Sequence, residues 1–305
     1  MKKWRWTASI LLTLILAFFI TASFIYTPEK QESSGTPDEQ PLETGPADVV
    51  EQPETEQEEA AAEEDENALG EGLRDVFTSV MDSARDLFIK NDLTVVAIGD
   101  SLTQGVGDGT DNGGYVGILE DNFTNNNDNT SLEVINYGKR GNRTDQMLKR
   151  MEDEEISRSI EQADIVLITI GANDVMKVVK DNFTNLNYQD FRDERDGYEQ
   201  RLREIIEKTQ HLNDEAPIYF VGLYNPFNQY FDNIPELGKI MGDWNEASER
   251  IINTYDQAHF IPVRDIFDGN EEELLWEEDH FHPNEQGYKE MAERVLAHIR
   301  EDIEE

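Results

Sequence analysis

Five short apolar runs punctuate the chain: TVVAIG (94–99), EVINYG (133–138), DIVLITIG (164–171), IYFVGL (218–223) and HFIPV (259–263). Each is rich in β-branched or aromatic residues and breaks off at Gly, Asn, Asp or Pro, the pattern of a buried strand. Between them, apolar residues recur at helical spacing around 115–123, 144–151, 192–212 and 237–255. A last helix is predicted from near Asn284 to about Ile299, and Thr144 is a plausible N-cap for the helix it opens. A further amphipathic helix is predicted over 73–91, where Leu73, Val76, Phe77, Val80, Met81, Ala84, Leu87 and Phe88 share one face. Strands alternating with helices imply a mostly parallel sheet covered on both faces. The expected fold class is α/β: a three-layer αβα sandwich around a doubly wound, mostly parallel five-stranded sheet. No internal repeat is seen.

The pattern changes abruptly upstream. Residues 27–71 are strongly acidic, nearly free of large apolar side chains, and carry Pro28, Pro37, Pro41, Pro46 and Pro53. Such a segment cannot offset its own ordering entropy, so it reads as a disordered linker extended by like charge. Ahead of it, 7–26 is an uncharged apolar run preceded by Lys2, Lys3 and Arg5. That run is long enough to cross a bilayer as a helix, with its basic flank on the cytoplasmic side. A cleaved signal peptide is the competing reading, but its apolar region is usually shorter, and Thr21-Ala22-Ser23 is a poor cleavage site inside a run that continues through Tyr26. The expected organisation is a signal-anchor at 1–26, a linker at 27–71 and a folded domain at 72–305. The expected localisation is the cell membrane, single-pass with the domain outside, or secreted if the leader is removed.

Charge narrows the partners. A formal net charge of -40 argues against nucleic acid, which needs clustered Lys and Arg. It argues equally against electrostatic binding to an anionic membrane surface. The absence of Cys removes disulfides, a thiolate nucleophile and any Cys-based metal site.

In open α/β sheets, sites form beyond the carboxyl ends of the strands. Those ends carry chemistry here. The first is followed by Ser101, in GDSLTQG. The second leads into NYGKRGNRT (136–144), the third into GAND (171–174), and the fifth, before the last helix, into DHFHPNEQGY (279–288). A serine hydroxyl is a weak nucleophile until a base takes its proton, and histidine titrates in the right range for that task. A carboxylate fixes the imidazole tautomer and stabilises its charged form. Asp279 and His282 stand three apart in a Pro-containing loop, a spacing that lets the Asp fold back on the ring. Gly turns and the Asn173 amide offer donors for a developing oxyanion.

Together, GDSLTQG, GNR, GAND and DHFH resemble the blocks of the GDSL/SGNH hydrolase superfamily, in the family's order, over about two thirds of the chain. GGYVGIL and VGLYNPF further resemble its bacterial, membrane-anchored YpmR-like lipase/acylhydrolase branch. The resemblance implies a flavodoxin-like SGNH hydrolase fold and a serine esterase without a cofactor or metal. It implies Ser101 as nucleophile, His282 as base, Asp279 as its orienting carboxylate, and the Ser101 N–H, Gly141 and Asn173 as oxyanion donors. Gly138 competes with Gly141 for the second-block position. The G-x-S-x-G elbow of α/β-hydrolases is missing.

Blander readings stand beside these. Asp100 and Asp174 read as structural. His280 and His282, two apart in an extended loop, would point to opposite sides, so only one could face Ser101. An H-x-H metal site lacks surrounding ligands. Residues 175–191 read either as a lid or as a helix packed on the core, and 225–235 as a binding loop or a packed surface loop. The expected activity is hydrolysis of carboxylic esters: lipid or lysophospholipid acyl esters, or O-acetyl groups on cell-wall sugars. A non-catalytic module that keeps the fold is the alternative class. Oligomeric state and acyl preference are not legible.

Overall fold

The computed structural model describes residues 92–110, 113–124, 131–182, 184–227 and 235–304, all within one compact unit, Glu54–Glu305. The predicted membrane anchor, linker and first amphipathic helix (73–91) lie outside the described residues. Among the described residues, no helix is long and apolar enough to cross a membrane.

The elements follow in the order β1 (Asp92–Gly99), α1 (Ser101–Gln104), α2 (Gly114–Thr124), β2 (Ser131–Gly138), α3 (Thr144–Arg150), α4 (Glu154–Gln162), β3 (Ile165–Thr169), α5 (Ala172–Asp181), α6 (Tyr188–Leu212), β4 (Ile218–Val221), α7 (Pro235–Ile252), β5 (Ala258–Ile261), α8 (Arg264–Phe267), α9 (Glu271–Leu274) and α10 (Glu285–Glu304). The five strands form one sheet in the order β2-β1-β3-β4-β5. Every pairing is parallel: Val96 lies opposite Ile135 of β2 and Val166 of β3, Ile168 opposite Phe220, and Phe220 opposite Phe260. This is a doubly wound sheet, and the winding reverses between β1 and β3.

Burial on both faces explains why the strands read as unbroken apolar runs. All five residues of β3 are buried. Along β1, Val95 and Ala97 pack with Tyr115 and Leu119 of α2 and with Met291 and Val295 of α10. Val96 and Ile98 point the other way, to Met147 of α3, Ile160 of α4, Leu202 and Ile206 of α6 and Trp244 of α7. The result is the expected three layers.

Helix boundaries follow local chemistry. Asn187 caps α6: its Oδ1 accepts the N–H groups of Gln189 and Asp190, and Asp190 reaches back to the Asn187 N–H. That cap starts α6 four residues before the predicted Arg192. Thr144 is not the cap of α3. Arg143 holds the N-cap position, and Thr144 is the first helical residue, its hydroxyl turned to Asp174. β3 and β4 end at Thr169 and Val221, two residues before the apolar run does. Their predicted ends, Gly171 and Leu223, belong to the turns that build the site.

Candidate active site

Three strand ends converge at the reversal point of the sheet. After β1 the chain turns on Asp100, whose N–H donates to Thr169 O at 3.1 Å. Asp100 Oδ1 accepts the Leu102 N–H at 3.0 Å and the Thr169 hydroxyl at 3.1 Å. It thus caps the single turn of α1 and ties the turn to β3. Ser101 is the first residue of that turn, so its own N–H is one of the donors that a helix start leaves without an intrahelical partner. Asp100 is fully buried, and among the described residues no cation lies against its carboxyl group. Burial drives its pKa up to about 7, against the hydrogen bonds from Leu102 and Thr169 that pull it down.

The Asp279–His282 segment is a tight turn. Asp279 Oδ1 accepts the N–H groups of Phe281 and His282, each at 3.0 Å. Its other oxygen, Oδ2, lies 2.5 Å from His282 Nδ1. The opposite ring nitrogen, Nε2, lies 2.8 Å from Ser101 Oγ. Ser101 and His282 are only 4% and 6% exposed. Burial pushes the Asp279 pKa up, but the hydrogen bond and charge of His282 and the backbone N–H groups outweigh it, so the net direction is down. An ionised carboxylate beside Nδ1 favours the tautomer that carries its hydrogen there, which would leave Nε2 to accept from the serine hydroxyl.

The turn is anchored on three sides. Trp276 N–H donates to His282 O at 2.8 Å, and Leu275 and Pro283 form a short antiparallel bridge. Tyr224 Oη donates to Phe281 O at 2.6 Å, and Tyr288 Oη to Val106 O at 2.7 Å. Gly107 has φ +97°, and a Cβ there would stand 2.5 Å from Pro283 O and 3.1 Å from His282 Cβ. Only glycine lets the loop after Ser101 approach the histidine turn so closely.

His280 departs from the expected extended run. It has φ 47°, and its N–H donates to Trp276 O. The turn, not strand alternation, brings His282 rather than His280 to Ser101. Among the described residues, no group of three His, Cys, Asp or Glu could hold a metal ion.

The two glycines after β2 divide. Gly138 donates its N–H to Asn136 Oδ1 at 2.8 Å, and a Cβ there would meet the Gln104 N at 2.2 Å, so it is a packing residue. Gly141 has φ +76° in an open turn where a Cβ would meet nothing within 4 Å. Asn173, in the first turn of α5, donates one amide N–H to Asn142 O at 3.1 Å, beside Gly141. An amide carries two such hydrogens, so the second remains for a ligand.

A narrow recess opens beside Ser101. Its walls include Val175 and Met176 of α5, Leu223, Phe227, Met241 of α7 and Phe281. The stretch after GAND is therefore helix α5. Val175 and Val178 face the core, and Val175 and Met176 also wall the recess. Tyr224 and Gly107 gave no sequence signal of a role. Their parts depend on which distant loop they touch.

A parallel sheet of order 2-1-3-4-5 with a serine, a histidine and a carboxylate in line at its reversal point defines a class of hydrolytic enzymes. The model of the GDSL-like lipase/acylhydrolase family matches residues 97–290, and the chain belongs to that family of ester-hydrolysing enzymes. YpmR of Bacillus subtilis (strain 168) is 35% identical over 220 residues, covering 72% of this chain and 86% of that protein. The spore germination lipase LipC of Bacillus licheniformis is 26% identical over 212 residues, 67% of this chain and 95% of its own. Among solved structures, the lipase Lip_vut3 from a goat rumen metagenome superposes with a TM-score of 0.59 at 25% identity, covering 67% of this chain and 96% of its own. The acetylxylan esterase Axe2 of Geobacillus stearothermophilus, at 22% identity and TM-score 0.51 over 68% of this chain and 94% of its own, shares the fold.

Proposed function

We propose that the chain is a serine esterase that cleaves carboxylic esters with an apolar acyl group through an acyl-enzyme intermediate. Ser101 Oγ attacks the ester carbonyl carbon while His282 Nε2 takes its proton. Asp279 holds the ring and stabilises the imidazolium that forms. The carbonyl oxygen, now anionic, accepts hydrogen bonds from the Ser101 N–H, the Gly141 N–H and the free Asn173 amide N–H. His282 then protonates the leaving alkoxide, and the acyl group stays on Ser101. Water, deprotonated by the same ring, releases the acid and restores the serine.

The observation that carries this reading is the unbroken row from Asp279 Oδ2 to His282 Nδ1 and from His282 Nε2 to Ser101 Oγ, at 2.5 and 2.8 Å. The recess walled by Val175, Met176, Leu223, Phe227, Met241 and Phe281 favours an acyl chain over a sugar hydroxyl array. The lipases among its relatives point the same way. In this reading the basic start and apolar run at 1–26 anchor the chain, the acidic segment 27–71 spaces it from the bilayer, and the domain at 72–305 works outside the cytoplasmic membrane.

A fluorophosphonate probe tests the chemistry on the full chain. Wild type should label, Ser101→Ala should not, and His282→Ala should label at least about 100-fold more slowly. A folded wild type that does not label would favour a non-catalytic module. An ester panel from acetyl to long acyl then separates substrates: preference for acetyl esters of sugars over fatty acyl esters would overturn the acyl-chain assignment.

A further inference from the structure

The two proposed oxyanion donors outside the serine turn come from different helix starts. Gly141 lies just ahead of α3, and Asn173 lies in the first turn of α5. Stabilisation of an oxyanion requires their separation to be fixed before the reaction. One polar network joins the two starts. Asp174 accepts the Thr144 hydroxyl at 2.5 Å on Oδ1 and the Thr144 N–H at 3.1 Å on Oδ2. Asp174 is 1% exposed. Arg201, from the long helix α6, closes the network: Nε donates to Thr144 Oγ1 at 2.7 Å and Nη2 to Asp174 Oδ1 at 3.2 Å. Glu194, two turns earlier on α6, accepts from the same Nη2 at 2.8 Å.

Gly197 explains how the guanidinium fits. It sits one turn before Arg201, in the interior of a helix where glycine is otherwise unfavourable. A Cβ at Gly197 would stand 2.9 Å from Arg201 Nη1. A side chain there would crowd the tip of the guanidinium, which would have to give by a few tenths of an ångström.

We propose that Arg201, aimed by Glu194 and admitted by Gly197, is a positioning residue of the oxyanion hole. Through Asp174 and Thr144 it sets the Gly141 turn against Asn173. The proposal rests on the reading of Gly141 and Asn173 as oxyanion donors. A guanidinium suits the task because its planar fork reaches several oxygens in fixed directions, which an ammonium cannot. A purely structural ion pair would behave differently: its loss would lower Tm and leave kcat per folded molecule unchanged.

The test uses the full chain with a chromogenic short-acyl ester, measuring kcat, KM and thermal melts. Arg201→Met should lower kcat roughly 10- to 100-fold, the cost of a small misplacement at a reacting centre, with KM within about twofold. Its Tm should fall, because Asp174 is left buried without its cation. Arg201→Lys should recover part of the lost kcat. Gly197→Ala is the variant that separates positioning from stability. Alanine favours the helix, so Tm should hold or rise, yet the nudged guanidinium should lower kcat measurably, by less than Arg201→Met does. It carries the test alone if Arg201→Met does not fold. In an Asn173→Ala background, the Gly197→Ala effect on kcat should largely vanish, because the donor being aligned is gone. Unchanged kcat in the folded Arg201 and Gly197 variants, or full additivity with Asn173→Ala, overturns the proposal. Unchanged kcat in Asn173→Ala alone overturns instead the oxyanion reading beneath it.

Discussion

Asp100 touches the proposed nucleophile's turn, yet it has no part in the proton path. Its Oδ1 caps α1 and receives the Thr169 hydroxyl, and its burial raises its pKa to about 7. In the unfolded chain the same carboxyl titrates near its ordinary value of about 3.9. The folded state therefore holds a proton that the unfolded state has released. That contribution to stability is complete below about pH 4 and is lost as pH rises towards and past 7. Asp279 works in the opposite sense. Its folded pKa is depressed, so its contribution is present above its ordinary pKa and lost as pH falls through the folded value. Asp100→Asn keeps an oxygen for both Oδ1 contacts and removes the ionisation. In urea melts at about pH 4 and about pH 8, the mutant should gain on wild type as pH rises, by up to about 1.4 kcal/mol per unit in between. Parallel stability curves for the two proteins would show that Asp100 does not carry this linkage. At this scale the sequence was informative about Asp279 and His282, because an Asp-x-x-His turn is local chemistry. It was silent on Asp100 as a buried acid, since burial depends on tertiary packing that brings residues as distant in sequence as Thr169 against it.

At the scale of elements, the row from Asp279 through His282 to Ser101 depends on one loop standing still against another. The turn from Asp279 to His282 leans on Gly107, which follows Ser101 by six residues. Gly107→Ala places a side chain at φ +97° and 2.5 Å from Pro283 O, so the two loops must part. The backbone strain is of order 1–3 kcal/mol, which a domain of this size can survive. The His282–Ser101 distance would not survive it. The variant should stay folded by circular dichroism while kcat falls about 100-fold. Wild-type kcat in a folded Gly107→Ala would mean the histidine turn is positioned without this contact. The same scale shows why the strands were readable and some helices were not. Runs such as IVLIT are buried on both faces and need no partner to be recognised. The single-turn helices α8 and α9 are too short to show a period, and they arise from packing under α10. The early start of α6 was in principle legible, since Asn187-x-x-Asp190 is a capping box; the apolar period that begins further along outweighed it. The order 2-1-3-4-5, which brings Ser101 and Asn173 together, is a matter of winding that no local pattern states.

At the scale of the whole molecule, charge acts on which esters arrive. Asp and Glu number 66 against 26 Lys and Arg. A field of that sign lowers the local concentration of anionic solutes, and focusing in a cleft with apolar walls strengthens the effect. The recess beside Ser101 offers an apolar lining and no cation among the side chains that wall it. A neutral or zwitterionic ester should therefore be favoured over an anionic one with the same acyl chain. Two chromogenic esters that differ only by a carboxylate on the leaving group make the comparison. As salt rises from about 10 mM to about 0.3 M, the Debye length contracts from about 30 Å to under 10 Å. Over that range kcat/KM for the anionic ester should rise several-fold, while that for the neutral ester stays within about twofold. The response should appear in KM, not kcat, because the field acts on encounter and leaves the chemical step unchanged. Equal salt responses for the two esters would show that the acidic surface does not reach the recess, and substrate choice would then rest on the pocket walls alone.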